Sequence, residues 1–167
     1  MLDQNGVFVL RDHKLGGWFE EQHILGVRWT DPNTHRSPLV IRYDGKPQAV
    51  ISLEDPKVKI IPNITNNKIT YTLEVKLSGY VSEIIHAISE SDIEKQAAKQ
   101  IRDEIRNTYE EGLKINADIL KLEYALYQQK NKEWKKLRDQ DELGLTPESL
   151  GIISVEVKLD HSGRSKL

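Results

Sequence analysis

The sequence predicts an α+β fold, a mainly antiparallel sheet with one face covered by helices, and three observations carry that expectation. Ile69, Tyr71, Leu73, Val75 and Leu77 alternate with Thr70, Thr72, Glu74, Lys76 and Ser78, and Ile153, Val155, Val157 and Leu159 alternate with Ser154, Glu156, Lys158 and Asp160. Period-two alternation buries one face of a strand and wets the other, as antiparallel sheets do, whereas a doubly wound parallel sheet gives continuous apolar strands. Between these strands Ile93, Ala97, Ile101 and Ile105 recur at helical spacing. The chain of 167 residues, 38% hydrophobic, has the length and apolar content of one domain, expected to span residues 1–167.

The first half reads as strands and turns. Residues 6–10 form a short apolar run, and runs at 39–43 and 48–53 flank Asp44-Gly45-Lys46-Pro47. An Asp-Gly pair between apolar runs signals a hairpin, and Lys46 and Pro47 predict a loop longer than the two-residue type. Asn66-Asn67 precedes the clearest strand.

Ser91-Asp92-Ile93-Glu94 has the form of a capping box, which starts a long helix at about residue 91. Lys99 with Asp103, Arg106 with Glu110, and Glu110 with Lys114 place opposite charges four residues apart on its outer face, as a solvated surface does. Gly112 weakens the helix interior by about 1 kcal/mol relative to alanine. Asn116 and Asp118 are good caps, so a break is expected between 112 and 118, with a second helix from about residue 118 carrying Ile119, Leu122 and Leu126. Thr146-Pro147-Glu148-Ser149-Leu150-Gly151 reads as one capped turn ahead of the last strand.

Several function classes fall away. With 24 basic and 26 acidic residues the net charge is −2, which offers no general field for nucleic acid. The absence of cysteine removes disulfides, thiolate nucleophiles and Cys-ligated metals. No window approaches the ~18 apolar residues of a membrane helix, and Met1-Leu2-Asp3-Gln4-Asn5 lacks the basic and apolar regions of a signal peptide. There is no Gly-rich phosphate loop, His-Glu-x-x-His, EF-hand loop or Gly-x-Ser-x-Gly elbow. His13, His23, His35, His86 and His161 stand singly, without the one-turn spacing that pairs two imidazoles on a metal. Asp160-His161-Ser162 has the residue types of a triad, but contiguous residues point in different directions. Glu20-Glu21 and Glu110-Glu111 are adjacent carboxylates rather than carboxyls facing across a cleft. No catalytic, metal-binding or cofactor-binding residue is expected.

One patch stands out. Lys130, Lys132, Lys135, Lys136 and Arg138 lie within nine residues, with Trp134 among them. Such a patch suits an anionic membrane surface or a partner, gaining about 1 kcal/mol per cation near an anionic leaflet. A solvated amphipathic turn, with Trp134 and Leu137 packed into the core, is the more usual explanation, and nucleic acid fits the patch least.

Taken in order, a set of landmarks resembles a known family. Gly6-Val7-Phe8-Val9, then Leu15-Gly16-Gly17-Trp18-Phe19, then Gly26-Val27-Arg28-Trp29 are similar to the opening of the C-terminal domain of the Ger(x)C spore-germination lipoproteins, the C subunits of nutrient germinant receptors. Residues 69–79 resemble that family's long strand, ending at Gly79 before a helix start containing Glu83. Asp118-Ile119-Leu120, Lys132-Glu133-Trp134-Lys135-Lys136 and the close from Val155 to Gly163 match its remaining landmarks. Two departures, Leu122 and Tyr124 where the family has glycines and Asn131 where it has proline, predict a continuous helix from Asp118 to about Leu137. A third places His161-Ser162 where the family has a basic pair before the final glycine.

The resemblance implies a non-enzymatic receptor-subunit domain acting with a membrane-spanning A subunit and a transporter-like B subunit, without cofactor or nucleic acid. It further implies lipid anchoring of the full-length protein to the outer face of the spore inner membrane. The signal peptide, lipobox cysteine and N-terminal domains would lie outside this soluble stretch. Gly17, Trp18, Gly26, Trp29, Gly79, Glu83, Asp118, Trp134 and Gly163 are the family-motif positions, expected to be structural. The alternative function is direct binding of a small nutrient, with Trp18, Trp29, Tyr80 and Trp134 lining a pocket, although large aromatics more often anchor cores.

Overall fold

A computed structural model describes residues 6–11 and 14–160. Its elements in order are β1 (Gly6–Arg11), β2 (Lys14–Glu20), α1 (Val27–Thr30), β3 (Arg36–Tyr43), β4 (Lys46–Thr65), β5 (Lys68–Ile84), α2 (Glu90–Lys114), α3 (Leu122–Gln129), α4 (Asn131–Asp139) and β6 (Leu150–Leu159). β1 and β2 form an antiparallel hairpin of their own. The other strands form a mixed sheet in the order β3-β4-β5-β6. β3, β4 and β5 pair antiparallel, and β6 joins β5 in parallel, because α2, α3 and α4 carry the chain back before β6 begins. The α+β class and the mainly antiparallel sheet therefore hold, with one parallel pair that alternation alone does not reveal.

Both hairpin turns of the sheet are two residues long. Asp44 and Gly45 have φ of 49° and 75°, and Asn66 and Asn67 have φ of 51° and 61°. These left-handed pairs match the twist of the flanking strands, and Asp, Asn and Gly are the residues that tolerate them. The longer first loop expected from Lys46 and Pro47 does not occur: Lys46 already pairs with Tyr43, and Pro47 with Arg42. β4 is a single strand with an irregularity between Glu54 and Lys57, where Asp55 takes φ 47°.

β5 does not end at Gly79. It continues to Ile84, and Glu83 pairs with Val50 within the ladder instead of starting a helix. Gly79 serves close approach within the strand, since a Cβ there would lie 2.0 Å from the Ser52 carbonyl oxygen.

The long helix starts two residues earlier than expected. Ser89, with extended backbone, caps it by accepting from the Asp92 N–H at 3.1 Å, and Ser91 lies inside the first turn. Two overlapping Ser-x-x-acid frames are present in sequence. The fold selects the first because the Glu94 carboxylate is engaged elsewhere, accepting the Leu159 N–H at 2.9 Å where β6 ends. The helix stops at Lys114, inside the expected break, where buried Gly112 lets the chain double back against Ala117.

The expected continuous helix over 118–137 is broken at Lys130 (φ −136°, ψ 59°). On a straight helix residues 127 and 134 lie two turns, roughly 10 Å, apart. The break brings the Trp134 ring edge-on to Tyr127 at 5.0 Å. The turn at 147–149 is capped as expected, with the Thr146 N–H donating to Ser149 Oγ at 2.9 Å, but Gly151 lies within β6 rather than after the turn.

Ile93, Ala97, Ile101 and Ile105 are buried against the sheet face made by Leu39, Ile41, Ile51, Leu53, Leu73, Val75 and Leu77. Leu122, Leu126 and Leu137 extend that core. The other face carries polar pairs, Arg36 with Glu54 at 3.0 Å and Lys76 with Glu156 at 3.9 Å.

Candidate functional site

Among the described residues the expected motif positions do not converge on one pocket, and Gly26, Trp29, Gly79, Glu83, Asp118 and Trp134 each have a local role. Gly26 sits where the start of α1 crosses α2. A Cβ there would lie 2.7 Å from the Glu104 carbonyl oxygen, and the Gly26 N–H donates to Thr108 Oγ1 at 2.9 Å. That crossing seats Trp29, fully buried, with its indole N–H donated to Glu104 Oε2 at 2.5 Å. The Arg28 guanidinium lies 4.3 Å from the Trp29 ring centroid, pairs with Glu104 at 3.3 Å and donates to the Pro38 carbonyl at 3.0 Å. A cation on the ring face and an acid at its N–H place the indole in complementary fields. Glu104 and Thr108 carry no sequence signal beyond their helical spacing.

Asp118 is a capping residue. Its two carboxylate oxygens accept the Leu122 and Glu123 N–H groups at 2.9 Å each, which starts α3 after Lys121 adopts φ 59°. Burial pushes its carboxyl above the usual aspartate range, opposed by those N–H donors. Nearby, burial raises the Tyr71 phenol, and the charge of Asp118 adds to the shift. The Tyr71 hydroxyl is buried without a hydrogen-bond partner. Burial likewise raises Tyr109, whose hydroxyl donates to the Thr146 carbonyl at 2.6 Å. Tyr109 thus ties α2 to the 146–149 turn, while Asp118 acts at the start of α3.

The basic patch lies on α4 and at its start. Lys132, Lys135, Lys136 and Arg138 are exposed, Lys130 is half-buried, and Leu137 packs into the core. Trp134 is half-buried between Tyr127 and Arg138, whose guanidinium is 4.9 Å from its ring centroid. Tyr124 stacks on Tyr127 at 6.2 Å, and both remain largely exposed. The inward packing expected of Trp134 and Leu137 thus coexists with an outward surface of cations and tyrosines.

Gly17 and Trp18 lie on β2, paired with Val9 and Phe8. Gly163, with His161 and Ser162, lies outside the described residues. The pocket expected from Trp18, Trp29, Tyr80 and Trp134 is not formed by those whose surroundings are described: Trp29 is in the core, Tyr80 lies under the Arg36 guanidinium, and Trp134 packs on Tyr127. Among the described residues no three His, Asp or Glu side chains gather as a metal site would require, and no helix is long and apolar enough to cross a membrane.

A family model described as "Spore germination B3/ GerAC like, C-terminal" matches residues 5–163. A solved structure, the crystal structure of the GerBC protein, superposes with a TM-score of 0.72 at 17% identity, over 92% of this chain and 50% of that one. The two share a fold, and this chain spans about half the length of the GerBC chain. No curated protein matches the chain.

Proposed function

The chain belongs to the spore germination B3/GerAC-like C-terminal family, and from that premise we propose that it is a non-enzymatic subunit domain of a spore nutrient germinant receptor. In this reading it supports complex assembly and germination signalling at the outer face of the spore inner membrane, beside the A and B subunits. A lipid anchor in the full-length protein would hold it there. The observation that carries the reading is the family match over residues 5–163. The scattering of the motif residues over packing and capping roles supports a scaffold rather than a reaction centre. Direct nutrient recognition draws no support from Trp29, Tyr80 and Trp134, which do not converge.

The test is co-purification of the full-length protein with its A and B subunits, before and after deletion of this domain. Loss of the complex and slower germination are expected, and unchanged assembly with unchanged germination would overturn the reading. Within it, the exposed cations of α4, with Tyr124 and Tyr127 beside them, are assigned to an anionic leaflet. Aromatic rings and cations together are the side chains that settle at a lipid interface. Charge reversal at Lys132, Lys135 and Lys136 is expected to abolish binding to phosphatidylglycerol vesicles. Binding that survives reversal removes the patch from the proposal.

A further inference from the structure

β6 stops at Leu159, opposite Gly79, while β5 continues for five more residues to Ile84. On its β4 side this overhang is paired, Val81 with Ile51, Glu83 with Val50 and Ile84 with Ala49. On its β6 side the last bond of the described residues runs from the Asp160 N–H to the Gly79 carbonyl at 2.7 Å. Val81, two residues beyond Gly79, turns its main-chain N–H and C=O to that same side, because strand residues alternate in direction.

Residues 80–84 form one wall of a groove of about 530 Å³, and Ile88 and Ile93 at the start of α2 form the other. Leu159 and Asp160 close its end. A strand edge that no described residue pairs, facing the start of a helix across a groove, is the geometry in which an extended peptide adds as a further strand. Its main chain then supplies affinity and its alternate side chains supply specificity. Among the described residues the charged ones that line the groove, Glu83, Glu90 and Asp160, are acidic.

We infer that this groove receives an extended segment of a partner protein with alternating basic and apolar residues, which lengthens the sheet where β6 ends. A second copy of the chain fits poorly, because the edge it brings carries the same Glu83. The opposite edge of the sheet is already covered by the chain's own side chains. Gln100 donates to the Val40 carbonyl and accepts from the Arg42 N–H, each at 2.9 Å, and Arg28 holds the Pro38 carbonyl. The inference rests on the reading of the domain as an assembly module, whose separate readout is co-purification with the membrane subunits.

The probe is a capped peptide, Lys-Val-Lys-Val-Lys, with Glu-Val-Glu-Val-Glu as its counterpart, titrated into the isotope-labelled protein. The basic peptide is expected to shift the amide resonances of residues 80–84 saturably and to slow exchange of the Val81 amide. Glu83→Lys should weaken it at least tenfold, with Glu83→Gln, an isosteric change at an exposed position, showing a smaller loss. Absence of saturable shifts, shifts confined to another surface, or equal binding of the acidic peptide would overturn the inference. So would binding seen only after residues 161–167 are removed, which would make the chain's own end the occupant. Any of these results leaves co-purification free to succeed, and failed co-purification leaves a positive peptide titration standing.

Discussion

Trp29 donates its indole N–H to the Glu104 carboxylate at 2.5 Å, joining the short helix α1 to the long helix α2. Arg28 approaches the same carboxylate while stacking on the same ring, so three side chains share one half-buried site. Trp29→Ala is expected to cost roughly 3–5 kcal/mol, the usual range for removing a buried large aromatic. Glu104→Ala leaves the indole N–H without its acceptor and should cost about 1–3 kcal/mol. Urea unfolding checks both: the midpoints should fall with little change in slope, and a Glu104→Ala midpoint equal to wild type would refute the coupling.

Glycine substitutions should separate crowding from conformational freedom. Gly79→Ala forces a methyl onto the Ser52 carbonyl, and Gly26→Ala forces one onto the α2 backbone. Neither backbone yields easily, so each is expected to cost about 1–3 kcal/mol or more. Gly45→Ala meets open space, and its φ of +75° alone should cost about 1 kcal/mol. Thermal unfolding of the three variants should rank Gly45→Ala as the mildest.

Asp118→Ala removes both acceptors at the start of α3 and should cost about 1–2 kcal/mol. Faster hydrogen exchange at the Leu122 and Glu123 amides would locate the loss. Because burial raises the folded-state carboxyl above its unfolded value, the folded protein holds this proton longer as pH rises. The contribution of Asp118 to stability is therefore largest below the ordinary aspartate range and declines as pH rises through the elevated folded value. Asp118→Asn should flatten that decline in stability measured across mildly acidic pH.

The two buried tyrosines act in the alkaline range. Burial raises both phenols, so above about pH 10 the unfolded chain loses protons that the folded chain keeps, and stability falls with further rise in pH. Tyr71→Phe removes a buried hydroxyl that has no partner, and should leave stability at pH 7 unchanged or raised while reducing the alkaline loss. Tyr109→Phe should instead destabilise at pH 7 by about 1 kcal/mol, since its bond to the Thr146 carbonyl is lost. Denaturant titrations at pH 7 and pH 11 distinguish the two.

The parts legible in the sequence are those set by local periodicity. The alternation from Ile69 to Leu77 shows which face of β5 is buried, and the stripe from Ile93 to Ile105 shows which face of α2 covers it. Gly79 was legible as a landmark but not as a strand interior, because its reason is the carbonyl of Ser52 on a neighbouring strand. Glu104 and Gln100 were not legible as functional groups at all. On α2 they are ordinary polar residues until α1 and the β3 edge arrive beside them.

By itself the sequence determined the class of the fold, the faces of its main strand and helix, and the turn residues, because hydrophobic period and backbone freedom are properties of short segments. Its ordered landmarks also point to the family. The tertiary structure alone decided that β6 lies parallel to β5, that Ser89 rather than Ser91 caps α2, and that the chain breaks at Lys130. It also decided that β5 runs on to Ile84 beyond the end of β6. Each of these depends on which of several locally acceptable partners a backbone or side chain meets across the core, and that choice is made by packing between segments far apart in sequence.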